Sequence, residues 1–304
     1  MKGVVIKSTG SWYTVKTKNS LVEARLRGKF KLENKKITNP IAVGDIVVLT
    51  EHDHKEWIIA EISPRKNYVI RQSPRKKHYD HIIASNIDQG LLIATLKKPR
   101  TSLGFIDRFL VTLEAFRIPG IILFNKTDLL DKAELEELDF LKYRYEKLGY
   151  QCFFSSLKNG EFTADLKSLF LNKTTLVSGH SGAGKSTMIN YLLPEVDQKV
   201  SEISHFANKG VHTTTFAEMF FIDDQSSLID TPGIKELGLS EIESEELAHY
   251  FPEMRALLGN CKYHNCSHVN EPKCAIKLAV EEGIISEDRY ASYLSMLAGE
   301  DNRR

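Results

Sequence analysis

The chain is poor in cysteine, has no long apolar run and carries almost no net charge. Such absences exclude several classes of protein. Only four of its 304 residues are cysteines, too few for a disulfide scaffold of this size. No apolar run approaches the roughly 18 residues that a membrane-spanning helix needs. The first residues, MKGVVIKSTGSWYTVKTKNS, lack the apolar core and cleavage site of a signal peptide. We therefore expect a cytoplasmic protein with no membrane partner. A monomer is a separate expectation.

The charge is balanced overall but unevenly distributed. The net charge is +1, yet residues 1–36 hold ten Lys or Arg against two Glu. The segment PRKNYVIRQSPRKKHYDH (64–81) adds six basic residues against one Asp. Two basic segments close together favour a nucleic-acid partner, although two solvated basic faces would give the same composition. The N-terminal region is therefore predicted to contact RNA.

Five short β-rich runs occupy the first 62 residues: GVVIKS, WYTVKT, LVEARLR, DIVVLTE and WIIAEI. Apolar and polar residues alternate in LVEARLR, as in a half-buried strand. Five strands in about 60 residues predict a small barrel, with the OB-fold favoured because it commonly binds oligonucleotides. An SH3-like barrel stays open at this point. The basic segment that follows is predicted to be a linker.

From about Asn86 the pattern changes to apolar strands separated by amphipathic helices. This alternation predicts a mainly parallel sheet covered on both faces. After Gly238 the chain is predicted to be helical, apart from one Cys/His segment. The predicted organisation is thus an OB-like barrel (1–67), an α/β nucleotide-binding domain (68–236) and a helical domain (237–304).

A phosphate-binding loop is predicted in TLVSGHSGAGKSTMIN (175–190), which has the spacing G-x-x-x-x-G-K-S. Glycines let the backbone curl around phosphates, so that its N–H groups and the following helix N-terminus face the anion. Lys185 is predicted to act in catalysis at the β- and γ-phosphates, and Ser186 to bind magnesium. The predicted phosphate-binding residues are Gly179, His180, Ser181, Gly182, Ala183, Gly184, Lys185, Ser186 and Thr187.

Two further elements complete the phosphate end of the site. Asp230 in DTPG follows an apolar strand, where its carboxylate can hold magnesium through water, and the N–H of Gly233 can sense a γ-phosphate. Between this element and the phosphate loop lies the run HTTT (212–215). One threonine is predicted to join the magnesium shell, with Thr214 or Thr215 favoured. The alternative is that the run is merely the edge of a strand.

The motif NKTD predicts recognition of guanine. The Asp128 carboxylate can accept two hydrogen bonds from guanine, and adenine offers no such pair of donors. Asn125 is expected to contact the base edge, Lys126 to pack beside the ring, and Thr127 to complete the loop. Ser155 and Ser156 follow the next strand, where a backbone N–H normally meets guanine O6. The predicted ligands are GTP and GDP with magnesium.

The order of these elements is inverted relative to ordinary small GTPases, because the base-reading motif precedes the phosphate loop. Written on a circle, the order is the usual one cut between D-x-x-G and N-K-x-D. A fold depends on which strands lie side by side, so a permuted chain can keep the same site. The segment after DTPG then runs into the C-terminal domain, which is predicted to respond to γ-phosphate loss.

Three cysteines cluster with histidine near the C-terminus, in the pattern Cys261-x4-Cys266-x-His268-x5-Cys274. Three thiolates and one imidazole predict one structural zinc ion with a closed tetrahedral shell. His264 is a competing nitrogen ligand by spacing alone. Cys152 lies in an apolar strand and is predicted to be a core thiol.

These motifs resemble those of the circularly permuted GTPases that assist maturation of the small ribosomal subunit, the RsgA (YjeQ) family. The resemblance covers essentially the whole chain: the basic barrel, NKTD, GHSGAGKS, HTTT, DTPG and the Cys/His cluster with EPKCA. It implies a small-subunit and rRNA partner, and it selects His268 over His264 as the zinc ligand. It also implies that His180, at a variable position of the loop, does not block binding.

The water-orienting group is the least defined part of the predicted site. Many GTPases place a Gln soon after D-x-x-G, but Ile234 and Lys235 stand there, so intrinsic hydrolysis is expected to be slow. His212 is the nearest substitute, and the resemblance, which includes a histidine before the threonine run, favours it over a plain solvent-exposed residue. The predicted function is a GTP hydrolase activated by the small ribosomal subunit in late maturation. The alternative is an RNA-binding scaffold that senses GTP and GDP with negligible turnover.

Overall fold

The computed structural model describes residues 1–26, 40–52, 56–72, 80–162, 166–193, 217–231 and 242–299. Within these ranges the strands are β1 (Lys2–Ser8), β2 (Tyr13–Thr17), β3 (Leu21–Leu26), β4 (Ile46–His52), β5 (Glu56–Ile62), β6 (Tyr68–Gln72), β7 (Asp80–Ser85), β8 (Gln89–Ala94), β9 (Gly120–Asn125), β10 (Gln151–Ser156), β11 (Glu161–Phe162), β12 (Thr174–Gly179), β13 (Glu218–Phe221) and β14 (Ser227–Asp230).

The helices of the described residues are α1 (Leu103–Ala115), α2 (Lys132–Lys147), α3 (Leu166–Phe170), α4 (Lys185–Leu192), α5 (Pro252–Arg255), α6 (Ala275–Glu281) and α7 (Glu287–Leu297). Short 3-10 helices cover Thr127–Leu129 and Leu247–Tyr250. Among these helices, none has both the length and the apolar character that crossing a membrane requires.

The first five strands close into a barrel. β1 pairs with β2 on one side and β4 on the other, and β3 pairs in parallel with β5. Alternate residues of β2 point inward, and the barrel is filled by apolar side chains including Val5, Tyr13, Val15, Leu49 and Ile59. This closed five-stranded order is that of an OB-fold, so the OB-like barrel predicted from the sequence is confirmed.

The central sheet is mainly parallel and has helices on both faces. β10, β9, β8, β12 and β14 are parallel neighbours, while β11 and β13 run antiparallel at the two sides. All six residues of β8 are buried, as expected for a strand covered on both faces. One face packs on α1 and α2, and the other on α3 and α4. The predicted α/β architecture is confirmed.

The basic segment after the barrel differs from its prediction. We predicted a linker, but β6 and β7 pair as an antiparallel hairpin. Their apolar residues are the reason, because Val69, Ile70, Ile82 and Ala84 are all buried. Their burial outweighs the basic side chains that suggested a linker. Residues 73–79, which hold part of the basic run, lie outside the described residues.

The barrel and the central sheet are continuous. β1 pairs with β13 through the register Lys7↔Glu218, so one 12-stranded sheet runs through both. The barrel is therefore fixed directly to the antiparallel strand that lies beside β14. A boundary at residue 67 remains a prediction, since this pairing joins the two regions across it.

The C-terminal region is helical, as predicted, and it packs on α1. Val111 of α1 shares one apolar cluster with Phe251, Met254, Ile276 and Tyr293.

An ion-pair network also joins the C-terminal region to α1. Arg289 donates to Asp107 of α1 over 2.7 Å and to Glu253 over 2.7 Å. The predicted boundary at residue 236 lies outside the described residues.

Candidate nucleotide site and metal centre

The candidate nucleotide site lies where the parallel strands end. β9 and β10 place Asn125 directly beside Ser155. β12 ends at Gly179 beside Ile93 of β8, and Asp230 ends β14 beside Val177. Loops at the carboxyl ends of adjacent parallel strands form the usual ligand crevice of an α/β sheet. The base-reading motif, the phosphate loop and Asp230, distant in sequence, thus meet at one edge.

The phosphate loop requires its glycines for space as well as for backbone conformation. Gly179 and Gly184 have φ of 148° and 119°. A Cβ on Gly179 would lie 2.6 Å from the Ile93 carbonyl oxygen, and one on Gly184 would lie 2.3 Å from Asn125 Nδ2. Gly184 caps α4 without a side-chain hydrogen bond. The N–H groups of the first turn are therefore left to an anion.

Lys185 and Asp230 are two oppositely charged residues at the phosphate end of the site. Lys185 Nζ donates to the carbonyl oxygens of Gly179 (2.5 Å) and His180 (3.1 Å). Burial lowers the pKa of Lys185, and the charge of Asp230 opposes that shift. Burial raises the pKa of Asp230, while Lys185 lowers it and Glu218 adds to the rise. Each of the two groups therefore offsets part of the cost of burying the other.

The side chains here fit a divalent cation. Asp230 Oδ1 is buried and has no hydrogen-bond partner among the described residues. Ser186 is exposed in the first turn of α4, next to Lys185. A carboxylate and a hydroxyl oxygen are ligands that magnesium prefers. His212, Thr214, Thr215 and Gly233 lie outside the described residues, so their roles stay predictions.

The base-reading loop presents an exposed carboxylate. Lys126 adopts a left-handed conformation (φ 67°) and leads into the 3-10 helix Thr127–Leu129. Thr127 Oγ1 donates to the carbonyl oxygen of Ser155 over 3.2 Å. Ser156 Oγ donates to Asp128 Oδ1 over 2.7 Å, which fixes the orientation of that carboxylate. Asp128 is thereby held at the rim with an acceptor available to a base.

Asn125 connects the two loops. Its Nδ2 donates to the Ala183 carbonyl oxygen over 2.7 Å. Its Oδ1 accepts from Ser155 Oγ (3.1 Å) and from the Leu157 backbone N–H (3.0 Å). The amide thus braces the phosphate loop against the base-reading strands. The sequence prediction of a base-edge contact did not include this bracing role, because the partners lie far apart in the chain.

Two contacts that support the loops of the site, one in the phosphate loop and one in the base-reading loop, were missed by sequence reasoning. The Phe105 ring of α1 packs on the His180 ring, with centroids 4.1 Å apart. Lys126 Nζ donates to the carbonyl oxygen of Lys98, in the loop that precedes α1. The only local signal is Ser102, which caps α1 by accepting from the Phe105 N–H. That signal marks the start of a helix and says nothing about what the helix supports.

The Cys/His residues form a group that can hold a metal ion. The ligand atoms of Cys261, Cys266, His268 and Cys274 all lie within 4.8 Å of one another. Cys261 and Cys274 Sγ are 3.9 Å apart, and His268 Nδ1 is 3.5 Å from Cys274 Sγ. Zinc–ligand bonds of about 2.3 Å (S) and about 2.0 Å (N) at tetrahedral angles give edges of about 3.8 and about 3.6 Å. The spacing therefore fits a tetrahedral shell, and His264 is not part of the group.

The metal-binding loop is held by α7 and by the carboxylate of Glu271. Tyr290 and Tyr293 donate their hydroxyls to the carbonyl oxygens of His268 (2.7 Å) and Ser267 (2.8 Å). Glu271 accepts from the Ser267 side chain and from backbone N–H groups, and these bonds lower the pKa of Glu271 to about 2. Burial lowers the pKa of His268, which favours the neutral imidazole that a metal binds.

Two family profiles match the chain in succession. That of the RsgA N-terminal domain matches residues 2–59, and that of the RsgA GTPase matches residues 62–240. A relative from Cytophaga hutchinsonii, named small ribosomal subunit biogenesis GTPase RsgA, is 52% identical over 307 residues, covering 100% of both chains. A protein of the same name from Bacteroides fragilis is 51% identical, covering 98% of this chain and 96% of its own.

Solved structures share the fold over the full chain. YjeQ from Thermotoga maritima superposes with a TM-score of 0.76 at 32% identity, covering 100% of this chain and 99% of its own. YloQ, described as a circularly permuted GTPase, superposes with a TM-score of 0.72 at 29% identity, covering 100% and 96%. The chain is therefore similar to these proteins in both its barrel and its permuted sheet.

Proposed function

The chain belongs to the RsgA family of GTPases, and on that premise we propose that it hydrolyses GTP on the small ribosomal subunit during late maturation of that subunit. Relatives that are 52% and 51% identical in sequence to this chain carry the name small ribosomal subunit biogenesis GTPase RsgA. The observation that carries the proposal is the meeting of the phosphate loop, the base-reading loop and Asp230 at one sheet edge. An OB-fold barrel, a common nucleic-acid binder, is fixed to the same sheet.

Each side chain of the site then has a distinct task. Asp128 reads guanine, and Asn125 keeps the base-reading and phosphate loops in register. Lys185 leaves its loop carbonyl partners to bind the β- and γ-phosphates. Ser186 and Asp230 would hold magnesium, and the ion would supply neutralisation of the phosphate charge. With Ile234 in place of an amide side chain, intrinsic turnover is slow.

His212 is proposed to orient the attacking water. It precedes the threonines that we assign to magnesium and the γ-phosphate. A positioned acid–base group contributes about 10²–10⁴-fold to a rate. His212→Ala is therefore expected to keep GTP and subunit binding but to lose most of the stimulated turnover. Lys185→Ala is the contrasting variant, because it weakens nucleotide binding itself. Normal stimulated turnover in His212→Ala would move the water-orienting group elsewhere, including onto the ribosome.

The metal of the Cys/His centre is proposed to be one structural zinc ion. Three thiolates and an imidazole are a ligand set that zinc favours, and four protein ligands leave no open position for a substrate. The ion would tie the loop around Cys261 and Cys274 to α6 and α7. Its contribution is thus to folding of the C-terminal region and not to the hydrolytic step.

The barrel is proposed to bind rRNA while the protein acts as a cytoplasmic monomer. Trp12 is 39% exposed, and the Arg25 guanidinium lies 3.6 Å from its ring centroid. Exposed aromatic and basic side chains suit bases and phosphates of single-stranded RNA. Affinity for the small subunit or its RNA should fall steeply with salt through counterion release. A salt-independent affinity would contradict the assignment.

GTP turnover with and without purified small subunits tests the function directly. We expect slow release of phosphate by the protein alone and a marked increase when small subunits are added. GTP, GDP and subunit binding without turnover in either condition would support the sensing scaffold instead. Stimulation by large subunits equal to that by small subunits would contradict the proposed partner.

A further inference from the structure

A row of charged residues crosses from the barrel to the nucleotide site. Lys7 of β1 lies directly opposite Glu218 of β13, and Glu218 lies directly opposite Asp230 of β14. Lys7 Nζ is 3.3 Å from Glu218 Oε1. The barrel therefore places a cation two strands away from the carboxylate at the phosphate edge.

The row lies on the sheet face that carries α4. Directly opposed residues of antiparallel strands project their side chains from the same face. Phe220 and Leu228, each two residues from a member of the row, pack in the cluster that contains Met188 of α4. Lys185 lies at the start of that helix. The charges therefore run plus, minus, minus, plus: Lys7, Glu218, Asp230, Lys185.

The two neighbouring carboxylates are a costly arrangement. Like charges directly opposite one another on antiparallel strands are destabilising. The Oδ1 atom of Asp230 is buried, and Glu218 is the residue directly opposite it on β13. The side chain of Glu218 is 27% exposed, so solvent weakens the effect without removing it. The two carboxylates, Glu218 and Asp230, therefore do not stabilise the fold at this position. Binding of a magnesium nucleotide gives a better reason for their placement.

We propose that Glu218 is a positioning residue of the nucleotide site, acting through Asp230 on the magnesium and phosphate end, and that Lys7 of the barrel sets the strength of its charge. The inference rests on the proposed nucleotide site. The barrel is then part of that site as well as an RNA-binding module. An RNA phosphate that draws Lys7 away from Glu218 increases the negative potential at Asp230.

The two members of the ion pair should have opposite effects on nucleotide binding. Glu218 repels nucleotide phosphates and attracts magnesium. Glu218→Gln should therefore tighten GDP binding in the presence of EDTA by about 3–10-fold, as expected for charges about 5–10 Å apart near a surface. It should also reduce the increase in GDP affinity that added magnesium provides. Lys7→Gln should weaken GDP binding in EDTA by about 2–3-fold and should make the increase on adding magnesium larger.

Combined and conservative variants separate charge from structure. The double variant Lys7→Gln with Glu218→Gln should bind GDP with an affinity between those of the two single variants, because two opposite charges are removed together. Glu218→Asp keeps the charge and should keep the magnesium dependence. Lys142→Gln and Glu146→Gln, which break an exposed 2.7 Å pair on α2, are matched controls and should change neither quantity.

The measurement is equilibrium binding of fluorescently labelled GDP to the full-length chain, with magnesium or EDTA, at about 0.1 M and about 1 M salt. Opposite shifts that shrink at the higher salt support the inference. Shifts of the same sign, or none, in variants with unchanged melting temperatures overturn it. Failure of the unchanged protein to bind GDP would instead refute the proposed nucleotide site.

Discussion

The barrel and the C-terminal region are attached to the nucleotide-binding sheet in contrasting ways. The barrel joins through the pairing of β1 with β13, where the side chains of an ion pair, Lys7 with Glu218, are 42% and 27% exposed, and through Val43, which is buried in the apolar cluster of the sheet. The C-terminal region joins through an apolar cluster shared with α1 and an ion pair, Arg289 with Asp107, that is almost fully buried. Solvent therefore reaches the ion pair of the first junction but has little access to that of the second.

Burial makes the ion pair of the second junction the stronger one. Burial disfavours the charged form of Arg289, but Asp107 and Glu253 outweigh it and raise the pKa of Arg289 well above its ordinary value. Tyr145 adds a hydrogen bond to Asp107 over 2.8 Å. Removing one partner of such a network leaves an uncompensated buried charge. We infer that the C-terminal region keeps a fixed orientation on α1, while the Lys7–Glu218 pair of the barrel junction responds to salt and to charged partners.

Loss of the metal should produce the largest effect on stability. It would loosen the contact between the C-terminal region and α1, because the metal-binding loop holds α7. Structural zinc contributes on the order of 10 kcal/mol of binding free energy, and the metal loop is tied to α7, which carries Arg289. Cys274→Ser is expected to lose about one equivalent of zinc and to loosen the C-terminal region. Metal analysis with hydrogen exchange checks this. Cys152→Ser is the control, and zinc retained in Cys274→Ser would rule out the shell.

Removal of the buried cation should have the next largest effect. Arg289→Met is expected to cost about 3–5 kcal/mol, because two carboxylates lose their buried partner. Adding Asp107→Asn should recover part of that loss, since it removes one unpaired charge. Arg255→Met is the matched control, because it breaks an exposed 2.9 Å pair with Glu114 of α1 and should cost within about 1 kcal/mol. Denaturant unfolding measures all three, and equal losses for Arg289 and Arg255 would contradict the comparison.

The barrel junction should show the smallest stability effect. Lys7→Gln is expected to change the free energy of unfolding by about 0–1 kcal/mol, as for other exposed ion pairs. Its effect should appear instead in the magnesium dependence of nucleotide binding. The same unfolding experiment measures it. A loss as large as that of Arg289→Met would contradict the assignment of this ion pair as a weak, solvent-exposed contact.

Local patterns explain what the sequence could predict. The five barrel strands, the phosphate loop with its strand and helix, and the Cys/His group are each specified by residues close together in the chain. The hairpin of β6 and β7 was missed because its basic residues outweighed a short apolar pattern. Burial of Val69 and Ile82 depends on neighbours that no local pattern reveals.

Contacts between distant segments were beyond the sequence. Lys7 and Glu218 are 211 positions apart, and Asn125 is 58 positions from Ala183. No periodicity or motif in the sequence predicts either contact. The roles of His212, Thr214, Thr215 and Gly233 stay predictions, since those residues lie outside the described ranges. The pairing of β1 with β13 also makes point substitutions better tests of the barrel than deletion, which would expose a strand edge.

The account's central claim is that elements in permuted order form one guanine-nucleotide site, and base selectivity tests it most directly. Equilibrium binding of GTP, ATP and xanthosine triphosphate should be compared for the unchanged chain and for Asp128→Asn. Hydrogen bonds to a charged group are worth about 1.5–3 kcal/mol, so the unchanged chain should prefer GTP by at least about tenfold. Asp128→Asn should shift the preference towards the xanthine nucleotide. Equal binding of ATP and GTP by the unchanged chain would contradict the claim.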